Sequence, residues 1–255
     1  MEYSEILYDT IKREEEGRAF VSTQQDKEVL SDMLIEINDL SGQNFHYFAE
    51  LDAFYVRGAG VIVKKYIKLF PSELPKAVLL RQMYLDKVED CDSLIIDLYF
   101  SFIRKRDCFL ITQMNVLSYI SCCYDNAFKK MKTKKIRYKI AELLDNPLDA
   151  YYLPLTMEMI TKDSPNKTKN VWIHYIRDVI TPVEMGFRTD IEDRDSSKFE
   201  LMVEQLKYNS IVALKYCDGE DVMEVLDGLA KGDHKGFSDT AQKSYNYILK
   251  NRYKR

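Results

Sequence analysis

The chain has 255 residues, of which 46% are hydrophobic and 31% charged, a composition typical of globular proteins rather than disordered or fibrous ones. It contains only 9 glycines and 6 prolines, so few tight turns are available and a β-sandwich or β-barrel is disfavoured. Its 5 cysteines lack the paired spacing of a disulfide framework or a zinc site. We therefore expect reduced thiols and a cytoplasmic location.

Signals for export or membrane insertion are not expected. The first residues, Met1 to Glu5, are acidic and polar where a secretory signal needs a basic start and an apolar run. The longest uncharged stretch, 108–124, is interrupted by polar groups that hydrocarbon would leave unsatisfied. This stretch predicts a buried helix, and we expect no membrane partner.

Charge is distributed unevenly along the chain. Residues 125–139 contain seven Lys or Arg against one acid, and residues 243–255 contain five against none. Because the net charge is −4, the rest of the chain carries −15. Two basic segments on an acidic body can steer an acidic or anionic partner.

Apolar residues recur at helical spacing from the first third of the chain onward. The first stripe is Val29, Met33, Ile37 and Leu40, with Ser22 and Gln25 upstream as a capping box. The second stripe covers 62–70 and ends before Pro71, although the β-branched run 61–63 could form a short strand. Ser72 is expected to cap the third helix, with Pro75 tolerated in its first turn.

The helical pattern continues almost to the C-terminus. Further helices are predicted over 95–102, 136–144, 147–160, 170–180, 199–217, 222–229 and 241–249. Pro154 is expected either to kink the helix that reaches Ile160 or to split it in two. Residues 181–197 combine Pro182, Gly186 and clustered acids without a period, which predicts an exposed loop or a boundary. The fold class predicted is all-α.

The helices group into pairs that recur roughly every 35 to 45 residues, a spacing typical of helical repeats. The turn and helix from Asp145, Asn146 and Pro147 through Ala150 to Met159 resemble a repeat of the HEAT or armadillo type. The segments Tyr124–Phe128 and Asn146–Met157 are also similar to helical bacterial proteins. The resemblance implies a single domain over 1–255, an α-solenoid of about six helix pairs that binds macromolecules, and it carries no functional residues. An irregular α-helical bundle is the alternative.

The basic helix 129–139 is the predicted binding surface. Its apolar side, which includes Ile136 and Ile140, is expected to face inward and to leave the basic residues outside. The candidate binding residues are Lys130, Lys132, Lys134, Lys135 and Arg137. An acidic protein or a phosphate could dock there, and a merely solvated helix face is the alternative. Few aromatic residues are interleaved, so a platform for stacking single strands is poorly supported.

An acidic cluster lies in the predicted loop, at Asp190, Glu192, Asp193 and Asp195. Clustered carboxylates are the ligands that hard cations need. The cluster fails the EF-hand pattern, because its sixth position is Asp195 instead of Gly and its twelfth is Leu201 instead of Glu. A solvated loop is favoured and no metal is predicted, while cation binding by 189–200 stays open.

Two glycines, Gly58 and Gly60, precede a predicted helix, where small residues can bring a phosphate close to backbone N–H groups. The lysine pattern of a P-loop does not follow them. The run from Arg57 to Gly60 therefore predicts a turn that ends one helix with a left-handed residue and starts the next.

The remaining reactive side chains favour structural roles. The histidines are His46, His174 and His234, none spaced with another ligand as a metal site would require. Cys122 and Cys123 are expected to pack in the core. Trp172 and Tyr175 could line a groove, but their helical spacing favours the core. We predict no catalytic residue, no metal ligand and no cofactor.

The count of 18 tyrosines against one tryptophan favours a protein-binding role, because tyrosine contributes heavily at interfaces. The preferred hypothesis is a non-catalytic interaction protein of a bacterial cytosol, an adaptor, regulator or immunity-type inhibitor that captures a protein partner. One alternative is a helical repeat that binds nucleic acid with 129–139 and the C-terminal tail. The other is an all-α, metal-dependent enzyme that uses the acidic cluster.

Overall fold

A computed structural model describes residues 23–106, 114–131, 139–186 and 193–252. These residues contain helices and turns and no strand, which confirms the all-α prediction. None of their helices combines the length and the apolar character needed to cross a membrane. The chain divides into two compact units, Met1–Thr133 and Lys134–Arg255. The segment 181–197 therefore lies inside the second unit, and a single domain over 1–255 stays a prediction.

The first unit is organised around one buried helix. Its helices are α1 (Gln24–Ser41), α2 (Phe48–Ala53), α3 (Ala59–Tyr66), α4 (Glu73–Leu85), α5 (Cys91–Arg106) and α6 (Met114–Lys130). Helix α4 packs against α2, α3, α5 and α6, and α1 packs against α3. An aromatic cluster of Tyr99, Phe102, Tyr124 and Phe128 fills the space between α5 and α6.

The start of α1 differs from the prediction by one residue. Thr23, rather than Ser22, is the N-cap, and it forms a capping box with Asp26 rather than Gln25. The buried Asp26 carboxylate also accepts hydrogen bonds from the backbone N–H and hydroxyl of Ser72, the N-cap of α4. One acid therefore ties the starts of two helices together, and Ser72 stands at the N-cap position of α4 as predicted, although its side chain bonds Asp26 instead of an N–H of α4.

One apolar prediction for α1 was wrong, whereas the helix predicted from residue 62 is confirmed and the strand that stayed open at 61–63 is not formed. Leu40 is exposed, because the buried side of α1 ends with Leu34 and Ile37. The run 61–63 is helical rather than extended. It belongs to α3, whose stripe places Val63 in the core and leaves Val61 exposed, so helical amphipathicity outweighs β-branched propensity here.

In the described part of the second unit, residues 139–141 are helical and a 3-10 turn follows at Glu142–Asp145. The unit continues with α7 (Pro147–Tyr152), α8 (Pro154–Asp163), α9 (Pro165–Arg177), α10 (Asp193–Leu214), α11 (Glu220–Ala230) and α12 (Lys235–Arg252). Pro154 splits the predicted helix in two, because it stands at the first position of α8. Helix α10 begins at Asp193, so the end of the predicted loop 181–197 is helical.

Trp172 anchors the core of the second unit and is fully buried, as predicted. Its indole N–H donates to the Thr161 hydroxyl at 2.7 Å. The Tyr175 hydroxyl donates to the Leu144 carbonyl, also at 2.7 Å. Both polar ends are therefore satisfied inside the core, which large aromatic side chains need when they are buried.

Candidate protein-binding surface

The structure describes the predicted basic surface only in part. Lys130 is exposed in the last turn of α6 beside Lys129, where a cation interacts favourably with the helix dipole. The other candidate binding residues lie outside the described residues: Lys132, Lys134, Lys135 and Arg137. The binding role of this segment stays a prediction.

The C-terminal basic segment lies mostly on α12. Lys243 and Lys250 are exposed there. Arg252 binds the Asp218 carboxylate through two guanidinium nitrogens, so its charge is partly used within the second unit. A protein that binds nucleic acid needs several free cations to contact phosphates. The described part of this segment offers two, Lys243 and Lys250, and the nucleic-acid alternative stays a prediction.

The acidic cluster is also described only in part. Asp190 and Glu192 lie outside the described residues, as do the side chains of Asp193 and Asp195. Among the described residues, no three His, Cys, Asp or Glu side chains are arranged to hold a metal ion. The metal-dependent enzyme is therefore a prediction that no geometry of the described residues supports.

All three histidines are exposed and have local partners. His46 lies 2.9 Å from the Asn44 side-chain nitrogen. His174 Nδ1 lies 2.5 Å from an Asp178 carboxylate oxygen, and His234 Nε2 lies 3.7 Å from a Glu204 carboxylate oxygen. Each pair lies on the surface. Among the described residues, each of these imidazole contacts is with one side chain, that of Asn44, Asp178 or Glu204.

An ion pair is buried in the first unit between Lys76 and Glu73, one turn apart on α4, with N and O 3.0 Å apart. The same interior holds the Tyr124 phenol of α6. Its pKa is raised mainly by burial and, to a smaller extent, by the Glu73 charge. The side chains of Lys76 and Glu73 are only 8% and 5% exposed. Because so little of either reaches solvent, the pair belongs to the core and forms no open reaction centre.

The cysteines differ in exposure, and one prediction about them was wrong. Cys122 is exposed on α6 and Cys123 is half-buried, so neither is a core residue. Cys217 is buried, and desolvation raises the pKa of its thiol to about 12. The reactive species is the thiolate, so exposure and pKa together decide which thiol reacts.

We expect the Cys122 thiol to react fastest with Ellman's reagent at pH 8, the Cys123 thiol more slowly and the Cys217 thiol most slowly. Substituting Cys122→Ser should remove one equivalent of fast-reacting thiol from the folded protein. Substituting Cys217→Ser should leave the fast phase unchanged, because the buried thiol is protonated at this pH. A fast phase that loses amplitude with Cys217→Ser and not with Cys122→Ser would contradict this assignment.

The Gly58–Gly60 segment is a turn, as predicted, and a side chain of the protein occupies its N–H groups. Gly58 has φ +89° and is the N-cap of α3. Its N–H donates to one oxygen of Asp86 at 3.0 Å, and the Gly60 N–H donates to the other at 2.5 Å. Because the carboxylate of Asp86, the C-cap residue of α4, already accepts from these N–H groups, they are not free to bind a phosphate.

Gln82, one turn before Asp86 on α4, holds the preceding residues. Its side-chain amide donates to the carbonyl groups of Leu51 and Phe54, both at 2.7 Å. Its side-chain oxygen accepts from the Val56 N–H at 3.1 Å. Gln82 is fully buried, so these three bonds replace water for backbone groups of the loop. The side chains of Gln82, on α4, and of Asp86, directly after α4, therefore fix the loop 54–60.

The loop exposes two aromatic side chains on this fixed backbone. Phe54 is 42% and Tyr55 44% exposed. Two further leucines are exposed near the groups that hold the loop: Leu85 precedes Asp86 in the chain, and Leu40 lies beside Gly58, where an added Cβ would be 3.2 Å from Leu40 Cδ2. The loop surface is defined here as Leu40, Phe54, Tyr55, Arg57 and Leu85.

Asp86, which lies beside the loop surface, holds the Tyr55 side chain by a hydrogen bond. The Tyr55 hydroxyl donates to Asp86 at 2.5 Å, and this hydrogen bond is the main reason that the phenol pKa is raised. Arg57 is exposed, and its positive charge lowers the pKa of the same phenol, although by less than the Asp86 hydrogen bond raises it. Tyr55 is therefore neutral at physiological pH, and 44% of the residue is exposed.

Sequence patterns did not single out the loop surface. Its aromatic residues lie between two helical stripes, and Asp86, which bonds the loop at Tyr55, Gly58 and Gly60, lies 26 to 31 positions from those three residues. The one available signal is the local composition, because Phe54, Tyr55 and Arg57 are of types enriched at binding hot spots.

Comparison with known proteins adds no family. No protein-family model matches the chain, and neither a curated protein nor a solved structure matches it. The resemblance to HEAT and armadillo repeats therefore stays a prediction.

Proposed function

We propose that the protein is a non-catalytic interaction protein that binds a protein partner through the loop surface. The observation that carries the proposal is the pair of exposed rings, Phe54 and Tyr55, on a backbone that α4 fixes. Exposed apolar groups that cluster on a surface mark binding sites. A fixed loop loses little conformational entropy when a partner binds, so more of the contact energy remains as affinity.

The arrangement of the helices is compatible with the finer part of the proposal, an α-solenoid. Within each unit, the most extensive helix contacts join elements one or two places apart in chain order, as both stacked repeats and an irregular bundle predict, and the surrounded helix α4 is typical of the bundle. A cytoplasmic location accords with the free thiols of Cys91, Cys122, Cys123 and Cys217. The basic segment around Lys130 would then be a second contact for an acidic partner.

Photocrosslinking tests the proposal. A benzophenone amino acid replaces Phe54 in one variant and Tyr208, an equally exposed residue of α10, in the control variant. Irradiation in cells of the source organism is expected to give a discrete crosslinked product from position 54, because partner atoms lie against that ring. Mass spectrometry then identifies the partner, and the complex is rebuilt from purified proteins.

The control separates a binding site from general stickiness. A partner that crosslinks equally from positions 54 and 208 would argue against a specific loop surface. A discrete product from position 208 alone would overturn the proposal and move the binding site to the second unit.

A further inference from the structure

Helices α1 and α3 form an antiparallel pair, and each carries a row of exposed residues on the side away from the described core. Three contacts fix the direction: Asp26 binds Ser72 just beyond α3, Glu36 binds Lys65 and Tyr66, and Leu40 contacts Gly58. Rising residue numbers on α1 are matched by falling numbers on α3. The outer sides of the two helices therefore form one continuous face, which is called the α1–α3 face.

The two halves of the α1–α3 face carry opposite charge. On α1, the exposed residues Glu28, Asp32 and Asp39 follow one another at helical spacing on the side away from the buried stripe. On α3 and the turn that follows it, the exposed residues Lys65 and Lys68 lie on the corresponding side, where Lys65 also pairs with Glu36 of α1 and Lys68 has no ion pair among the described residues. An acidic stripe thus runs beside a basic stripe.

Apolar side chains are exposed within the same stripes. Ile35, between Asp32 and Asp39, is 58% exposed. On the basic side, Val61 is 65% and Leu69 53% exposed. Isolated exposed apolar residues need no explanation, but three on one face beside ordered charges are typical of an interface.

We infer that a second copy of this chain docks on the α1–α3 face. When two copies meet face to face about a twofold axis parallel to the helices, the left and right halves of the face exchange places. The acidic stripe of each copy then lies against the basic stripe of the other, and the apolar residues meet between them. The α1–α3 face of one copy is therefore complementary in charge to the same face of a second copy, so a second copy has the charges that a partner of this face needs. This inference stands apart from the proposed function, because it uses neither ring of the loop surface.

Charge reversal with complementation tests the inference by sedimentation equilibrium. Wild-type protein is expected to dimerise at micromolar concentration, with a dissociation constant that rises with salt. The variant Asp32→Lys with Asp39→Lys, and the variant Lys65→Glu with Lys68→Glu, should each raise that constant at least about tenfold, because like charges now face each other. An equimolar mixture of the two variants should form a heterodimer at least as tight as the wild-type dimer.

A matched control for the lysine reversal is available on α12, where Lys243→Glu with Lys250→Glu makes the same change in net charge as Lys65→Glu with Lys68→Glu. This control should leave the dimer intact. Circular dichroism verifies that each variant is folded, and the neutral variant Asp32→Asn with Asp39→Asn should weaken the dimer less than the reversal does. Phe54→Ala with Tyr55→Ala should not affect it, which separates this inference from the proposed function. A monomeric wild type, or a mixture of reversed variants that stays monomeric, would overturn the inference.

Discussion

The substitution Gly60→Ala is expected to destabilise the protein by about 3 to 4 kcal/mol. An added Cβ would lie 2.8 Å from the Gln82 carbonyl oxygen, from Asp86 Oδ2 and from Val88 Cγ2. The backbone of α4 cannot yield as a flexible side chain would, so the loop must move away from Asp86. Alanine gains at most about 1 kcal/mol of helix propensity over glycine, and the clash therefore dominates.

Urea denaturation followed by circular dichroism measures this effect. Gly228→Ala is the matched control, because Gly228 lies inside α11 and an added Cβ there meets nothing within 4 Å. The control should be more stable than wild type by roughly 0.5 to 1 kcal/mol. Equal changes in the free energy of unfolding at both glycines would refute the close packing of α3 against α4.

The substitution Gln82→Ala should have a similarly large effect, about 3 kcal/mol. It removes three hydrogen bonds from the loop and leaves the carbonyl groups of Leu51 and Phe54 and the N–H of Val56 without their partner. It also leaves a cavity where a fully buried side chain stood. Each unpaired buried backbone group costs roughly 1 to 3 kcal/mol, which alone accounts for the expected loss.

The matched control for this prediction is Gln205→Ala. Gln205 is exposed on α10, and its side chain bonds only Asn209 one turn away. Its removal should change the free energy of unfolding by less than about 0.5 kcal/mol. If both glutamines tolerate alanine equally well, Gln82 does not hold the loop.

Helix positions could be predicted from the sequence where local chemistry decides them. Ser72 with Pro75 marks the start of α4, because a cap and a first-turn proline act within one helical turn. Pro154 was ambiguous, since a proline can kink or end a helix. The structure resolves the ambiguity because Leu153 adopts a non-helical backbone just before α8.

The loop surface could not be predicted in this way, because distant residues create it. The sequence around Gly58 suggests either a turn or a phosphate site, and only the position of Asp86 decides between them. Leu40 was misassigned for a related reason. It belongs to an apolar run, and which member of a run is buried depends on where the neighbouring helix packs.

The most direct test of the account is the affinity of the loop surface for its crosslinked partner. Isothermal titration calorimetry compares the wild type with Phe54→Ala plus Tyr55→Ala, and with Leu201→Ala plus Tyr208→Ala, a matched exposed pair on α10. Loss of two anchoring rings is expected to raise the dissociation constant about 30-fold, equivalent to about 2 kcal/mol, while the α10 variant binds like the wild type. Unchanged affinity of the loop variant, with its fold intact, would contradict the account.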